Sequence, residues 1–190
     1  VVHEAGTAAC DAGQLLTKLN RYLRQVLEGA GTTIFVTAAY AVIDLEAMTM
    51  DYAQAGHPPA LRWYATQKKS SLVFLSAEAE GPALGLLDDV DYRADRIPLG
   101  QGDRLMLYTD GVIEATACTG EEFGGERLQR AFEEAVEEGA PDVARRVCEA
   151  ARGFSNSGRF SDDVCVLVAT CERIVVPAPA SSPVTSTSNT

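Results

Sequence analysis

Apolar residues recur at helical spacing in three segments of the chain. In residues 12–28, five leucines and a valine share one face with polar residues between them, and Gly29 is the expected stop. Two more helices are predicted at residues 125–138 and 141–154, the second because Pro141 suits a first helical turn. The chain therefore encodes one early amphipathic helix and a later pair.

Runs of β-branched, aromatic and alternating apolar residues predict strands between these helices. The candidates lie at residues 32–44, 50–55, 60–64, 71–75, 91–97, 104–108 and 164–170. Short polar or glycine-rich turns, such as residues 67–69 and 100–102, join several of them. This pattern is typical of antiparallel meanders. Because groups of helices separate the strand-rich blocks, we expect an α+β layered fold with antiparallel sheets.

The composition is that of an ordinary globular protein, with 46% hydrophobic and 23% charged residues in a chain of 190. This length fits one domain with a sizeable core. The formal net charge of −11 and the lack of clustered Lys and Arg argue against a nucleic-acid partner. No apolar run reaches the roughly 18 residues of a membrane span, and no signal-peptide pattern occurs, so we expect neither.

The cysteines and the C-terminal residues add two expectations. Five cysteines are odd in number and form no CxxC pair or zinc-finger spacing, which favours free thiols in a reducing cytoplasm. From Pro177 onward the chain contains only Pro, Ala, Ser, Thr, Val and Asn, which cannot build a packed core. We therefore predict a folded domain over residues 1–174 and a disordered tail over residues 175–190.

Carboxylates stand at the ends of two predicted strands. Asp110 follows the apolar strand at residues 104–108, and Asp162 and Asp163 precede the one at residues 164–170. Hard cations such as Mg²⁺ and Mn²⁺ prefer oxygen ligands, so these residues would form a metal site if the two strands pack together. Taken singly, each aspartate is more often a turn residue or a helix cap, and the residues alone leave that alternative open.

A stiff turn presents His57, one of only two histidines. Gly56 precedes it and two prolines follow it, which fixes the direction of the side chain. An imidazole in this position can act as a general acid or donate to a phosphate. A loop histidine is more often solvated or hydrogen-bonded within its own turn, so both interpretations stand.

Six short motifs follow one another in a fixed order along the chain. They are Phe35-Val36-Thr37, Ala55-Gly56-His57-Pro58-Pro59, Gly81-Pro82-Ala83-Leu84-Gly85, Leu107-Tyr108-Thr109-Asp110-Gly111-Val112-Ile113-Glu114-Ala115, Gly120-Glu121-Glu122-Phe123-Gly124 and Ser161-Asp162-Asp163-Val164. With this series the chain resembles the bacterial branch of the PPM phosphatases, that of the sporulation stage II E and sigma-regulator (Rsb) phosphatases. The resemblance covers residues 12–170.

The resemblance implies a two-layer antiparallel β-sandwich flanked by helices, with a binuclear Mn²⁺ or Mg²⁺ centre at one end. It implies a protein serine/threonine phosphatase, in which a metal-bound water attacks the phosphorus of phosphoserine or phosphothreonine directly. By motif, Asp110 and Asp162 are the expected metal ligands and catalytic residues, and Gly111 and Asp163 support them. His57 has no assigned catalytic role and is expected to be a structural residue beside the site.

The resemblance also implies a partner, namely a phosphorylated regulatory protein of the anti-sigma-factor antagonist type. One departure concerns the front of the domain, where the family has an Asp-Xaa-Xaa-Gly motif whose Asp bridges both metals. No such motif precedes the first helix here, and residues 1–10 resemble the remnant of a longer helix. We therefore expect a truncated domain that lacks its first strands and has little Mn²⁺-dependent activity by itself.

Lost strands would leave a sheet edge exposed, which favours association, for example as a homodimer. The alternative to an enzyme is a catalytically impaired pseudophosphatase or partner-binding scaffold with the same fold. A version of the chain extended at its N-terminus would distinguish the two, since only the enzyme should gain activity.

Overall fold

The computed structural model describes residues 10–30, 34–73, 75–156 and 158–172. In these residues the helices are α1 (Ala12–Ala30), α2 (Gly124–Glu137) and α3 (Val143–Phe154). The strands are β1 (Ala38–Asp44), β2 (Thr49–Ala55), β3 (Leu61–Tyr64), β4 (Lys69–Leu72), β5 (Glu80–Gly81), β6 (Asp95–Pro98), β7 (Arg104–Tyr108) and β8 (Val166–Thr170). A 3₁₀ turn, Asp110–Val112, follows β7.

The strands form two four-stranded sheets. In the first sheet, β1 lies on one side of β2, and β5 and β6 lie on the other. The second sheet has the order β4-β3-β7-β8, and every pairing in it is antiparallel. Among the described strands, β1 and β8 are therefore each at the edge of a sheet.

Alternating side chains on β2 separate two layers of the core. Met50 and Tyr52, both 0% exposed, point between the sheets and share a cluster with Leu105 of β7. Ala53 has the opposite orientation and packs with Leu16 of α1. The first sheet is thus covered by the second sheet on its inner face and by α1 on its outer face.

Helices α2 and α3 cover the outer face of the second sheet. Phe132 of α2 and Val147 of α3, both 0% exposed, pack in one cluster with Met106 of β7. Burying side chains of this size contributes about 1.5–3 kcal/mol each. The layers run α1, first sheet, second sheet, α2 with α3, which confirms the predicted α+β sandwich flanked by helices.

One predicted strand is wrong over its first half. Residues 91–97 were expected to be extended throughout, but β6 begins only at Asp95. The backbone N–H of Tyr92 donates to the Thr17 hydroxyl of α1 at 2.9 Å, and the Tyr92 hydroxyl donates to the Pro82 carbonyl at 2.6 Å. Tyr92 therefore packs on α1 instead of extending β6.

Two other predicted boundaries shift by one or two residues. The strand expected at residues 71–75 is β4, which starts earlier because Glu133 of α2 accepts both the N–H and the hydroxyl of Ser70 at 2.8 Å. Helix α3 starts later than expected, since Asp142 is its N-cap and Pro141 lies before it. The first change involves a residue distant in the chain, whereas the second is a local cap, in which Asp142 accepts the N–H of Arg145 at 2.9 Å.

The remaining differences lie at the ends of β1, β5 and β8. Within the strand predicted at residues 32–44, Val36 forms only an isolated bridge to Leu84, and residues 31–33 lie outside the described part. Strand β8 begins at Val166 instead of residue 164. The sheets are antiparallel as predicted, apart from the two-residue β5, which pairs with β2 in parallel.

Some predictions concern residues that the structure does not describe. The remnant helix near the N-terminus and the missing first strands involve residues before Cys10, and the disordered tail involves residues 175–190.

The five cysteines are free thiols, as predicted. None of the helices in the described ranges is long and apolar enough to cross a membrane.

Candidate metal centre

Strands β7 and β8 bring Asp110 and Asp162 to the same end of the second sheet. The antiparallel pairing of β7 with β8 ends with Tyr108 opposite Val166. Asp110 follows the end of β7, and Asp162 precedes the start of β8. The two strands thus pack together, as a shared site requires, and both aspartates are exposed to solvent.

Thr109 fastens the segment that follows Asp162 to the end of β7. Its N–H donates to the Cys165 carbonyl at 3.0 Å. Its hydroxyl donates to the Asp163 carbonyl at 3.0 Å and accepts the N–H of Cys165 at 2.9 Å. A Cβ at Gly111 would lie 2.7 Å from the Asp163 carbonyl oxygen, so only glycine allows this close approach. The two segments that carry the carboxylates are therefore held together.

The carboxylates of this corner have the chemistry that a hard cation requires. One oxygen of Asp110 accepts the N–H of Gly111 at 3.0 Å, and one oxygen of Asp162 accepts the N–H of Asp163 at 2.7 Å. The second oxygen of each is available, and oxygen donors suit Mn²⁺ and Mg²⁺. Among the described residues, however, no three His, Cys, Asp or Glu side chains cluster as a ligand set. The two aspartates fit the cation as part of such a set.

His57 lies at the same corner but belongs to the first sheet. Its turn is rigid because Gly56, with φ of 64°, donates its N–H to the Gly81 carbonyl at 2.8 Å. A Cβ at Gly56 would lie 3.0 Å from the backbone nitrogen of Ala83. Burial lowers the pKa of His57, and the negative charge of Asp110 opposes that shift. Burial is the larger of these two effects, and the second shows that the charge of Asp110 acts on the ring.

A pocket of about 330 Å³ opens between the two sheets at this corner. His57 lines it from the first sheet, and Thr109 and Cys165 line it from the second. Leu167, which also lines it, is 52% exposed. Ala38 and Ala39 of β1 line the opposite wall. The pocket is therefore an open cleft between β1 of the first sheet and β8 of the second.

The sequence predicted some of the residues at this corner. It identified the two strand-end aspartates, together with Gly111, and it treated His57 as a neighbour of the site. It missed Thr109 and Cys165, although the position of Thr109 directly before Asp110 was a usable signal. The role of Cys165 depends on its pairing with Thr109 across β7 and β8, which the sequence does not show.

The sequence matches the family model described as stage II sporulation protein E (SpoIIE) over residues 1–172. Phosphoserine phosphatase RsbU of Bacillus subtilis (strain 168) is 33% identical over 136 residues, which cover 70% of this chain and 38% of RsbU. Phosphoserine phosphatase RsbP of the same organism is 31% identical over 105 residues, 55% of this chain and 25% of RsbP. The chain spans less than half the length of either relative.

Solved structures share the fold. The SiaA-PP2C domain of Pseudomonas aeruginosa superposes with a TM-score of 0.72 at 18% identity, covering 89% of this chain and 63% of that one. The PPM Ser-Thr phosphatase MsPP from Mycobacterium smegmatis gives 0.57 at 21% identity, covering 87% and 76%. The order of the motifs predicted this relationship correctly. The chain belongs to the stage II sporulation protein E (SpoIIE) family and has its PPM-type phosphatase fold.

Proposed function

We propose that this chain is the catalytic part of a Mn²⁺- or Mg²⁺-dependent protein phosphatase that acts in the cytoplasm. Its substrate is phosphoserine or phosphothreonine on a regulatory protein, of the anti-sigma-factor antagonist type that the motif series implies. One observation carries the proposal, namely the pairing of β7 with β8, which brings Asp110 and Asp162 to one corner. The similarity to RsbU and RsbP, both phosphoserine phosphatases, supports the same substrate class.

Each residue of the corner has a defined task in this proposal. Asp110 and Asp162 would hold the cation through their available carboxylate oxygens, while Thr109 and Gly111 keep the two segments in register. When bound, the cation polarises the phosphoryl group and acidifies the attacking water. The water oxygen would form a bond to phosphorus and give up a proton, the bond from phosphorus to the serine oxygen would break, and that oxygen would take up a proton, so that the proton count is conserved. The products are the free hydroxyl and inorganic phosphate.

The direct test is hydrolysis of a phosphoserine peptide in the presence of Mn²⁺. Asp110→Asn and Asp162→Asn preserve size and remove one negative charge, so each should lower kcat/KM by about 100-fold or more. Asp89→Asn is the matched control, because Asp89 is exposed, does not line the pocket at the corner and has φ of 49°, which asparagine tolerates. The control should retain wild-type activity.

The assay is run on the 190-residue chain and on the full-length product of its gene. If neither hydrolyses the peptide above background, or if both Asn variants match wild type, the proposal is wrong. A chain that binds a phosphorylated regulatory protein without turnover would instead be the partner-binding scaffold. That result would identify the alternative function directly.

A further inference from the structure

We propose that His57 contacts the substrate directly, by donating a hydrogen bond to the phosphoryl group. This inference rests on the proposed phosphatase function and adds a recognition residue from the first sheet to a site whose carboxylates come from the second. His57 is half-buried in the wall of the pocket, and none of the described residues forms a hydrogen bond with its ring. An imidazole held in this way has an N–H available for a ligand.

The backbone of the turn that carries His57 is held in one conformation. Gly56 pairs with Ala38 of β1 as well as with Gly81, so both sides of the turn are tied to the sheet. Pro58 and Pro59 follow directly, and each proline ring fixes its own φ. A donor that is already oriented loses little conformational freedom when a ligand binds. Such rigidity suits a contact residue better than a solvated loop side chain.

The pocket offers few other donors to a phosphoryl group. None of its described lining residues is Lys or Arg, the side chains that most often bind phosphate. The Thr109 hydroxyl already donates to Asp163 and accepts from Cys165. Thr37, Tyr108 and His57 are the remaining hydroxyl and N–H donors among the described side chains that line the pocket. Tyr108 is only 5% exposed, and the charge of Asp110 acts on His57. Because Asp110 directly follows Thr109, which lines the same pocket as His57, a phosphoryl group held beside Asp110 would lie near the His57 ring.

A kinetic experiment tests the contribution of this hydrogen bond. His57→Ala removes the donor, and we expect kcat/KM for the phosphoserine peptide to fall about 10- to 100-fold, the usual effect of one hydrogen bond to a charged group. His57→Gln places an amide N–H at a similar reach and should restore part of the loss. The melting temperature of both variants should stay close to wild type, which separates contact with substrate from a structural role.

A binding experiment reads the same contact without turnover. The chain has two histidines, so the ring signals of ¹⁵N-labelled His57 can be assigned with His57→Gln, and His3 serves as the internal reference. With Mg²⁺ present, titration with inorganic phosphate should shift the His57 ring signals to saturation and leave those of His3 unchanged. This result does not depend on whether the chain hydrolyses the peptide, so it distinguishes failure of this inference from failure of the proposed function.

Three outcomes would overturn the inference. Absence of a phosphate-dependent shift at His57 excludes the contact, whatever the activity. Loss of activity together with a lowered melting temperature and no rescue by glutamine assigns His57 to the stability of its turn. A shift at His57 with activity retained within about twofold in His57→Ala shows that the contact has no part in recognition of the reacting phosphoryl group.

Discussion

The buried ion pair between Arg62 and Asp103 gives a quantitative prediction. Both side chains are less than a tenth exposed, at 8% and 6%. The Asp103 carboxylate accepts from Arg62 Nε at 3.2 Å and from the backbone N–H groups of Ala65 at 2.9 Å and Gly100 at 2.8 Å. Asp103 therefore joins β3 to the turn that precedes β7 while neutralising a buried guanidinium.

The substitution Asp103→Asn preserves the shape of the side chain and leaves Arg62 buried without its counter-charge. Removing one partner of a buried pair costs about 3–5 kcal/mol of unfolding free energy. The matched control is Asp51→Asn, which breaks a pair with Arg96 that also has two hydrogen bonds, each 2.7 Å long. Arg96 is 71% exposed, so the control should cost about 1 kcal/mol or less.

Urea denaturation at neutral pH measures both free energies. A pH series adds a second check. Burial by itself raises the pKa of Asp103, but the hydrogen bonds from Arg62, Ala65 and Gly100 outweigh burial and hold the pKa below its ordinary value. The pair therefore stabilises the fold above the unfolded-state pKa of about 3.9, and this contribution is lost as the pH falls through the lower folded-state pKa. Equal losses for Asp103→Asn and Asp51→Asn would refute the argument from burial.

Two further substitutions test the core and the candidate site. The Tyr52 hydroxyl is buried with no hydrogen-bond partner in the described part of the chain, and burial raises its pKa to about 12. Tyr52→Phe should therefore leave thermal stability unchanged or raise it by about 1 kcal/mol, and a clear loss in calorimetry would reveal a missed partner. Thr109→Val deletes both hydroxyl hydrogen bonds to the segment that follows Asp162. We expect Mn²⁺ affinity to fall about 10- to 100-fold in calorimetric titration, and an unchanged affinity would show that the segment is held by other contacts.

The sequence predicted the parts of the fold that local pattern controls. The apolar run before Asp110 and the run after Asp162 are strands, as their β-branched and apolar residues predicted, and this placed both aspartates at strand ends. The family resemblance carried by the motif order then implied that these two strands pack together, which the local pattern of each strand cannot show. Periodicity likewise located the three helices to within a few residues.

The sequence could not show contacts made across the fold. Tyr92 leaves the sheet because Thr17, far away in the chain, accepts its N–H. The start of β4 depends on Glu133 in the same way. His57 was expected to be a structural neighbour of the site, and only its placement in one pocket with Thr109 indicated a further role. In each case the decisive partner is distant in sequence, so no local pattern carries the information.

The cleft between β1 and β8 has a mechanical consequence for the candidate site. The two sheets are joined in their middle by the buried cluster that contains Met50, Tyr52 and Leu105, whereas β1 and β8 border the open pocket. His57 belongs to the first sheet, and Asp110 follows β7 of the second. A small rotation of one sheet about the central cluster would change the separation of imidazole and carboxylate while leaving both secondary structures intact. A ligand that binds in the cleft and changes the angle between the sheets would therefore change the geometry of the site without contacting Asp110 or Asp162.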